Sequence, residues 1–325
     1  GRRHLEQTFP NEVTTVSYEN ITEKNIASAM EEAIHAGCNI IFTTTPTFAQ
    51  ESLRAAITHP EVRILNCSLN TTHRYIRTYY TRMHEAKFLM GAIAGEMAEN
   101  DKIVYIADYP ILGTIAQINA FALGAQMTNP RAKVYLEWST LKEQDIEKRI
   151  DEIDPNCISG KDIIVPDDNN HFYGVYHRES GGGEQKNLAM PLCHWGKFYE
   201  ELIRTIMAGS WEQDNDVEKA INYWWGMPTG VVDVICSKKL PAGTVRLVNV
   251  LKHNYKTGQF HTFADQMYEQ GHILKEKKGE TLSPEEVIEM DWLAENIIGR
   301  IPKIEELQEQ AKPVLTQQGI ETRKG

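Results

Sequence analysis

The sequence predicts an α/β protein of two lobes, each built on a parallel sheet. Three observations carry that expectation. The chain has 325 residues, more than one compact sheet uses and enough for two lobes with separate cores. Short β-branched runs alternate with amphipathic stretches along it, the signature of βαβ units feeding a parallel sheet. Hydrophobic residues at 41%, charged residues at 24% and only 13 prolines describe a chain that can bury a sizeable core, not a disordered or fibrous one.

The strand candidates are the runs at 13–18, 39–44, 62–68, 103–107, 134–138, 162–165 and 188–192. Helices fill the gaps. Thr22 and Asn25 before Ile26, Met30, Ala33 and Ile34 give a capped amphipathic helix, ended by Gly37. The same spacing predicts helices over 48–58, 84–99 and 112–127, the last stopped at Asn129-Pro130. Asp, Asn and Gly concentrate in 155–183 and polar residues in 212–219; both read as loops, where sites tend to sit. The stretch 304–325 is mostly polar and ends in TRKG, so a surface wrap or a trailing end is expected. Arg2, Arg3, His4 and Leu5 read as the inside of a helix with no cap before them, and an upstream piece is expected before Gly1.

Composition excludes several functions. A formal net charge of -11 with no Lys/Arg stripe repels a phosphate backbone, which rules against direct contact with nucleic acid. No apolar run approaches the ~20 residues that span a bilayer, and GRRHLEQTF lacks the apolar stretch of a signal peptide. The five cysteines, Cys38, Cys67, Cys157, Cys193 and Cys236, are odd in number and scattered beside apolar runs, as expected of free thiols in a reducing compartment. No HExxH, CxxC, GxSxG or GxxxxGK[ST] string occurs. Cys193 and His194 are adjacent, so on a strand they point to opposite faces and cannot share a proton. Asp167-Asp168 reads as a solvated turn. No catalytic residue, cofactor or metal is expected.

The fragments IIFTTTPTF, YYTRMHEAKFLMGAIAG, YIADYP, INAFALGAQMTNP, HWGKFYE, NYWWGM and MDWLAENIIG run in this order from near Gly1 to about Pro302. Together they resemble the basic-membrane-protein family of substrate-binding proteins, which includes bacterial purine-nucleoside-binding lipoproteins. The run FTT, then Tyr79-x-x-Arg82-x-x-Glu85, then Asn119 in INAF, then WWGM is similar to members that bind free purine bases such as adenine. The resemblance implies a type I periplasmic-binding-protein fold: two Rossmann-like lobes with parallel sheets, joined by three crossovers, with the ligand cleft between them. Crossings are expected near 100–102, near 223–226 and within 259–265, which makes 1–101 with 226–260 lobe 1. Residues 102–225 would form lobe 2, with parts of 261–302 crossing back, and 303–325 a C-terminal tail. The family's first strand and the loop that brings an aromatic onto the base would precede Gly1. The stretch IVPDDNNHFYGVYHRESGGGEQKNLAMP is short compared with extracellular members and resembles a subgroup found as the C-terminal part of longer cytoplasmic chains.

Candidate ligand residues follow from position. Thr45 and Phe48 come after an apolar strand, at the carboxyl edge where open α/β sheets bind ligands; a helix cap and a core ring are their bland alternatives. Tyr79, Arg82 and Glu85 enter a helix at three-residue spacing and share a face, where Arg and Glu could answer both donors and acceptors of a purine edge or merely pair with each other. Asp108, Tyr109 and Pro110 end the next strand; Asp108 can accept from a ring N–H or an exocyclic amine, or cap the following helix, which carries Asn119. Trp138, Asp162, Trp195 and Trp225 stand at segment junctions, and Trp195 and Trp225, each before a glycine, are the preferred stacking pair.

The leading reading is non-catalytic binding of a purine base or nucleoside in the interlobe cleft. It would serve either an upstream fused domain as a cytoplasmic sensor, which the thiols favour, or an ABC transporter permease as a protein lipid-anchored outside the cell. The rival reading is an enzyme acting on nucleosides in the same cleft, with Asp108 or Glu85 as its acid.

Overall fold

Parallel strands do carry the chain, and they gather into two separate main sheets. The computed structural model describes residues 1–69, 75–160, 162, 173–181, 183–209, 211, 222–264, 266–275 and 280–320. Two compact units result: Gly1–Thr81 with His194–Trp225, and Arg82–Cys193 with Gly226–Gly325.

The first unit holds helices α1 (Arg2–Thr8), α2 (Ile26–His35) and α3 (Ala49–Thr58) with strands β1 (Ile40–Thr43), β2 (Arg63–Asn66) and β3 (Arg77–Thr81). When the chain returns it adds α7 (Trp195–Met207) and β9 (Asn222–Trp225). The strands pair in parallel in the order β1-β2-β3-β9, with Thr43 opposite Asn66 and Thr81 opposite Trp225. Their carboxyl ends therefore share one edge. Strand alternation sorts the apolar side chains. Ile41 packs toward Ile26, Met30, Phe48 and Ile64, whereas Ile40 and Phe42 pack toward Leu5, Phe9 and Ile203. The strand expected at 13–18 is absent: this stretch forms no ladder among the described residues, and β-branched composition alone cannot satisfy a strand's backbone groups. Val13 instead packs beside Leu5 and Phe9.

The second unit begins with α4 (Met83–Met97), β4 (Lys102–Ala107), α5 (Thr114–Thr128), β5 (Lys133–Trp138), α6 (Ile146–Ile153), β6 (Cys157–Ser159), β7 (Val175–Arg178) and β8 (Gln185–Cys193). Its second visit gives β10 (Val232–Cys236), α8 (Ala242–Lys256), β11 (Met267–Glu269), β12 (Ile273–Lys275), α9 (Pro284–Ile288), β13 (Ile297–Ile298) and α10 (Lys312–Gln318). Seven strands order as β10-β8-β7-β6-β4-β5-β13. The β6-β4-β5-β13 side is parallel, and β7, β8 and β10 run antiparallel. Strand β4, KIVYIA, is apolar on both faces, as a covered parallel strand must be. Of the strand expected at 162–165, residues 163–165 lie outside the described residues, and Asp162 itself is a bend.

The chain passes between units at 81/82, 193/194 and 225/226. By this division residues 82–101 and 226–260, expected in lobe 1, stand in the second unit, and 194–225 stands in the first. The reason lies in α4, which is buried from His84 to Gly95 on all sides and cannot part from α5. A Cβ on Gly91 would lie 1.9 Å from the Phe121 carbonyl oxygen, and one on Gly124 would lie 2.0 Å from that of Phe88; the two backbones touch. Residues 303–320 are not a free tail either, since Leu307, Ala311 and Leu315 form a buried cluster with Tyr109, Ile111 and Leu141.

Candidate functional site

The carboxyl edge of the first unit is aromatic. Trp195 opens α7 and Trp225 closes β9, and both flank the fully buried Phe198, with ring centroids 5.7 and 4.8 Å away. Trp195 also lies nearly parallel to Tyr199 at 6.1 Å. Both tryptophans are half-buried, so each offers ring surface while its other atoms are packed. Phe198 and Tyr199 escaped the sequence reading, although their spacing from Trp195 along one helix is the signal that would have found them.

The remaining predicted residues of this edge are committed to the scaffold. Thr45 caps the 3₁₀ turn Pro46–Phe48 through its side chain. Phe48 turns into the core with Ile26, Met30 and Ile64, the bland alternative weighed for it. Tyr79 is 1% exposed; its hydroxyl donates to the Thr43 carbonyl at 3.2 Å and lies 3.2 Å from the Tyr199 hydroxyl. Burial pushes its ionisation well above the ordinary phenol range. Asn66, not singled out from sequence, donates through Nδ2 to Thr43 Oγ1 and the Thr45 carbonyl at 2.8 and 2.9 Å. Its Oδ1 is buried without a hydrogen-bond partner, an acceptor held at the strand ends.

The carboxyl edge of the second unit is ionisable instead. Asp108 follows β4 and is exposed; it accepts from Ser139 Oγ while its carbonyl accepts from Thr140 Oγ1. Asp162 stands just past β6, the parallel neighbour of β4, so both carboxylates come from one edge. The Asp162 carboxylate receives Lys87 Nζ, 2.7 Å from Oδ1 and 2.6 Å from Oδ2. Arg82 and Glu85 do share a face, with Nη1 3.8 Å from Oε1, yet the Glu85 carboxylate is turned inward, and its Oε2 accepts the Met227 N–H at 2.6 Å. Gly226 makes room for it: a Cβ there would lie 2.3 Å from Oε2. Burial raises the Glu85 carboxyl to about 7, against the pull of the Met227 N–H and Arg82.

Four predicted residues have partners within this unit. Asn119 is fully buried and donates to Met290 Sδ and the Trp292 carbonyl while accepting the Ala294 N–H. Trp138, 2% exposed, donates to the Arg300 carbonyl. Tyr109 packs on the cluster around Leu315, and Pro110 is buried with its carbonyl accepting the Ile320 N–H. Each partner lies far along the chain, where residue spacing carries no information. Among the described residues no group of three or more His, Cys, Asp or Glu side chains could hold a metal.

Comparison with known proteins gives the arrangement its context. The family described as ABC transporter substrate-binding protein PnrA-like matches residues 1–180. A purine-binding protein of Brucella abortus is 24% identical over 315 residues, covering 93% of this chain and 88% of its own. A putative ABC transporter glucose-binding protein of Haloferax volcanii is 27% identical over 225 residues, 66% of this chain and 56% of that protein. Among solved structures, a transcriptional activator of the comK gene from Bacillus halodurans superposes with a TM-score of 0.58 at 16% identity, over 80% of this chain and 93% of that one. A solute-binding protein of an ABC transporter system from Aeropyrum pernix gives 0.52 at 13% identity, over 80% and 85%. At these identities the structures show the fold, that of periplasmic-binding proteins.

Proposed function

The chain belongs to the PnrA-like family of ABC transporter substrate-binding proteins, so its work is binding rather than turnover, and we propose that the ligand is a purine base or nucleoside. One observation carries the reading: half-buried rings, Trp195 and Trp225, stand together around Phe198 at the carboxyl edge of the first unit's sheet. A flat heteroaromatic ring uses such a surface fully, whereas a sugar uses it less. The name of the Brucella relative supports the same choice. The proposal extends to place and partner. Five cysteines, odd in number and scattered along the chain, favour a reducing, cytoplasmic compartment and a sensing role toward a fused domain; export and service to a permease is the second reading, supported by the family's transporter association.

Equilibrium dialysis with adenine, guanine, hypoxanthine and their nucleosides tests the ligand. The expected result is saturable retention of at least one, with the nucleoside recovered unchanged by chromatography. Retention of none would overturn the proposal, and release of free base would make the protein an enzyme.

A further inference from the structure

We propose that Lys87 is a positioning residue that presents the Asp162 carboxylate as an acceptor for a ligand N–H, and so selects purines that carry an exocyclic amine. The inference rests on the purine reading above. Lys87 is 1% exposed, within an α4 whose neighbouring positions Ala86 and Phe88 are apolar and buried. Burying an ammonium costs several kcal/mol unless it is paired, so a methionine or leucine would serve packing better. The ammonium is paired: it reaches both Asp162 oxygens and lies 5.0 Å over the ring of the buried Tyr105. Burial pushes its pKa down, but Asp162 and then Tyr105 pull it up and prevail, so the lysine stays charged.

The exposure of the pair is lopsided. The Lys87 side chain is 2% exposed and that of Asp162 25%. The cation is hidden behind the anion, and the carboxylate's remaining lone pairs are the ones that a ligand can meet. An ionised carboxylate accepts and never donates. It therefore rewards a ring bearing an amine and penalises one that would leave it unpaired. Because Lys87 holds both oxygens, the acceptor's direction is fixed before the ligand arrives, which spares the ordering that a free surface aspartate would undergo.

Calorimetric titration of the full chain with adenine and with unsubstituted purine tests this, comparing the wild type with Lys87→Met, Lys87→Arg and Asp162→Asn, and with unfolding midpoints taken on each. The expected result is that Lys87→Met and Asp162→Asn each weaken adenine binding at least about tenfold, bring the adenine-to-purine affinity ratio toward one, and are not additive when combined. Lys87→Arg should recover the ratio. A purely structural lysine would lower the midpoint and leave the ratio unchanged; that result, or an unchanged ratio in Asp162→Asn, overturns the inference while the purine reading stands. Should Lys87→Met fail to fold, Asp162→Asn and Lys87→Arg decide by the same ratio. A wild type that binds neither base overturns both.

Discussion

Helices α4 and α7 meet their surroundings by opposite means. In the second unit α4 crosses α5 with backbones in contact, Gly91 against the Phe121 carbonyl and Gly124 against that of Phe88. In the first unit α7 meets its sheet through rings, with Phe198 and Tyr199 packed on Tyr79 and Phe42. A backbone crossing fixes distances and leaves no side chain to adjust, whereas a ring cluster tolerates small repacking. The groups whose direction matters follow that division. Glu85, Lys87 and Asn119 stand on α4 and α5, and the half-buried rings of Trp195 and Trp225 stand on α7 and β9.

The largest expected effect comes from breaking the backbone crossing. Gly124→Val should cost about 3 kcal/mol or more, measured by denaturant unfolding, because Cβ meets main chain that cannot swing away. Phe198→Leu, the matching insult to the ring cluster, should cost about 1 kcal/mol. Equal losses would remove the distinction. Asn119→Ala comes next, at about 2 to 3 kcal/mol, since it leaves the Ala294 N–H and the Trp292 carbonyl unpaired in the core; a loss below about 0.5 kcal/mol would mean that the segment is held by packing alone.

Glu85 makes a smaller, pH-dependent prediction. Its carboxyl is raised to about 7 in the folded chain from an ordinary 4.5, so the folded state binds the proton more tightly than the unfolded one. That contribution is fully present below the unfolded value and is lost as pH rises through about 7. Glu85→Gln, which keeps an acceptor for Met227, should therefore gain on the wild type between pH 5 and pH 8 by about 2 kcal/mol, read from unfolding curves at each pH. A difference independent of pH would show that the buried carboxyl does not titrate there. The smallest stability effect is expected for Trp225→Phe, under about 1 kcal/mol, with purine affinity lowered severalfold as stacking area shrinks.

The same division explains what could be read before folding. Helices α2, α3, α4 and α5 and strands β1, β2, β4, β5 and β8 announce themselves by period and apolar runs. Strands β3 and β9, RTYYT and NYWW, do not, because aromatic and polar residues mask the pattern. Among the candidate residues, the positions of Asp108 and Asp162 at strand ends follow from the sequence. Lys87 is not, since a lysine in a helix reads as solvent-facing until both sides of that helix are known to be covered. The hydrogen bonds of Asn119 and Trp138 to the Trp292 and Arg300 carbonyls are not legible, because those partners are more than 150 residues away.

The proposed ligand is a purine, not a sugar, and the half-buried rings of the first unit support that choice. Parallel calorimetric titrations of the wild-type chain with adenine and with glucose, the sugar named for the Haloferax relative, test it most directly. Saturable heat with adenine and none with glucose is the predicted result; saturation with glucose and none with adenine would contradict it.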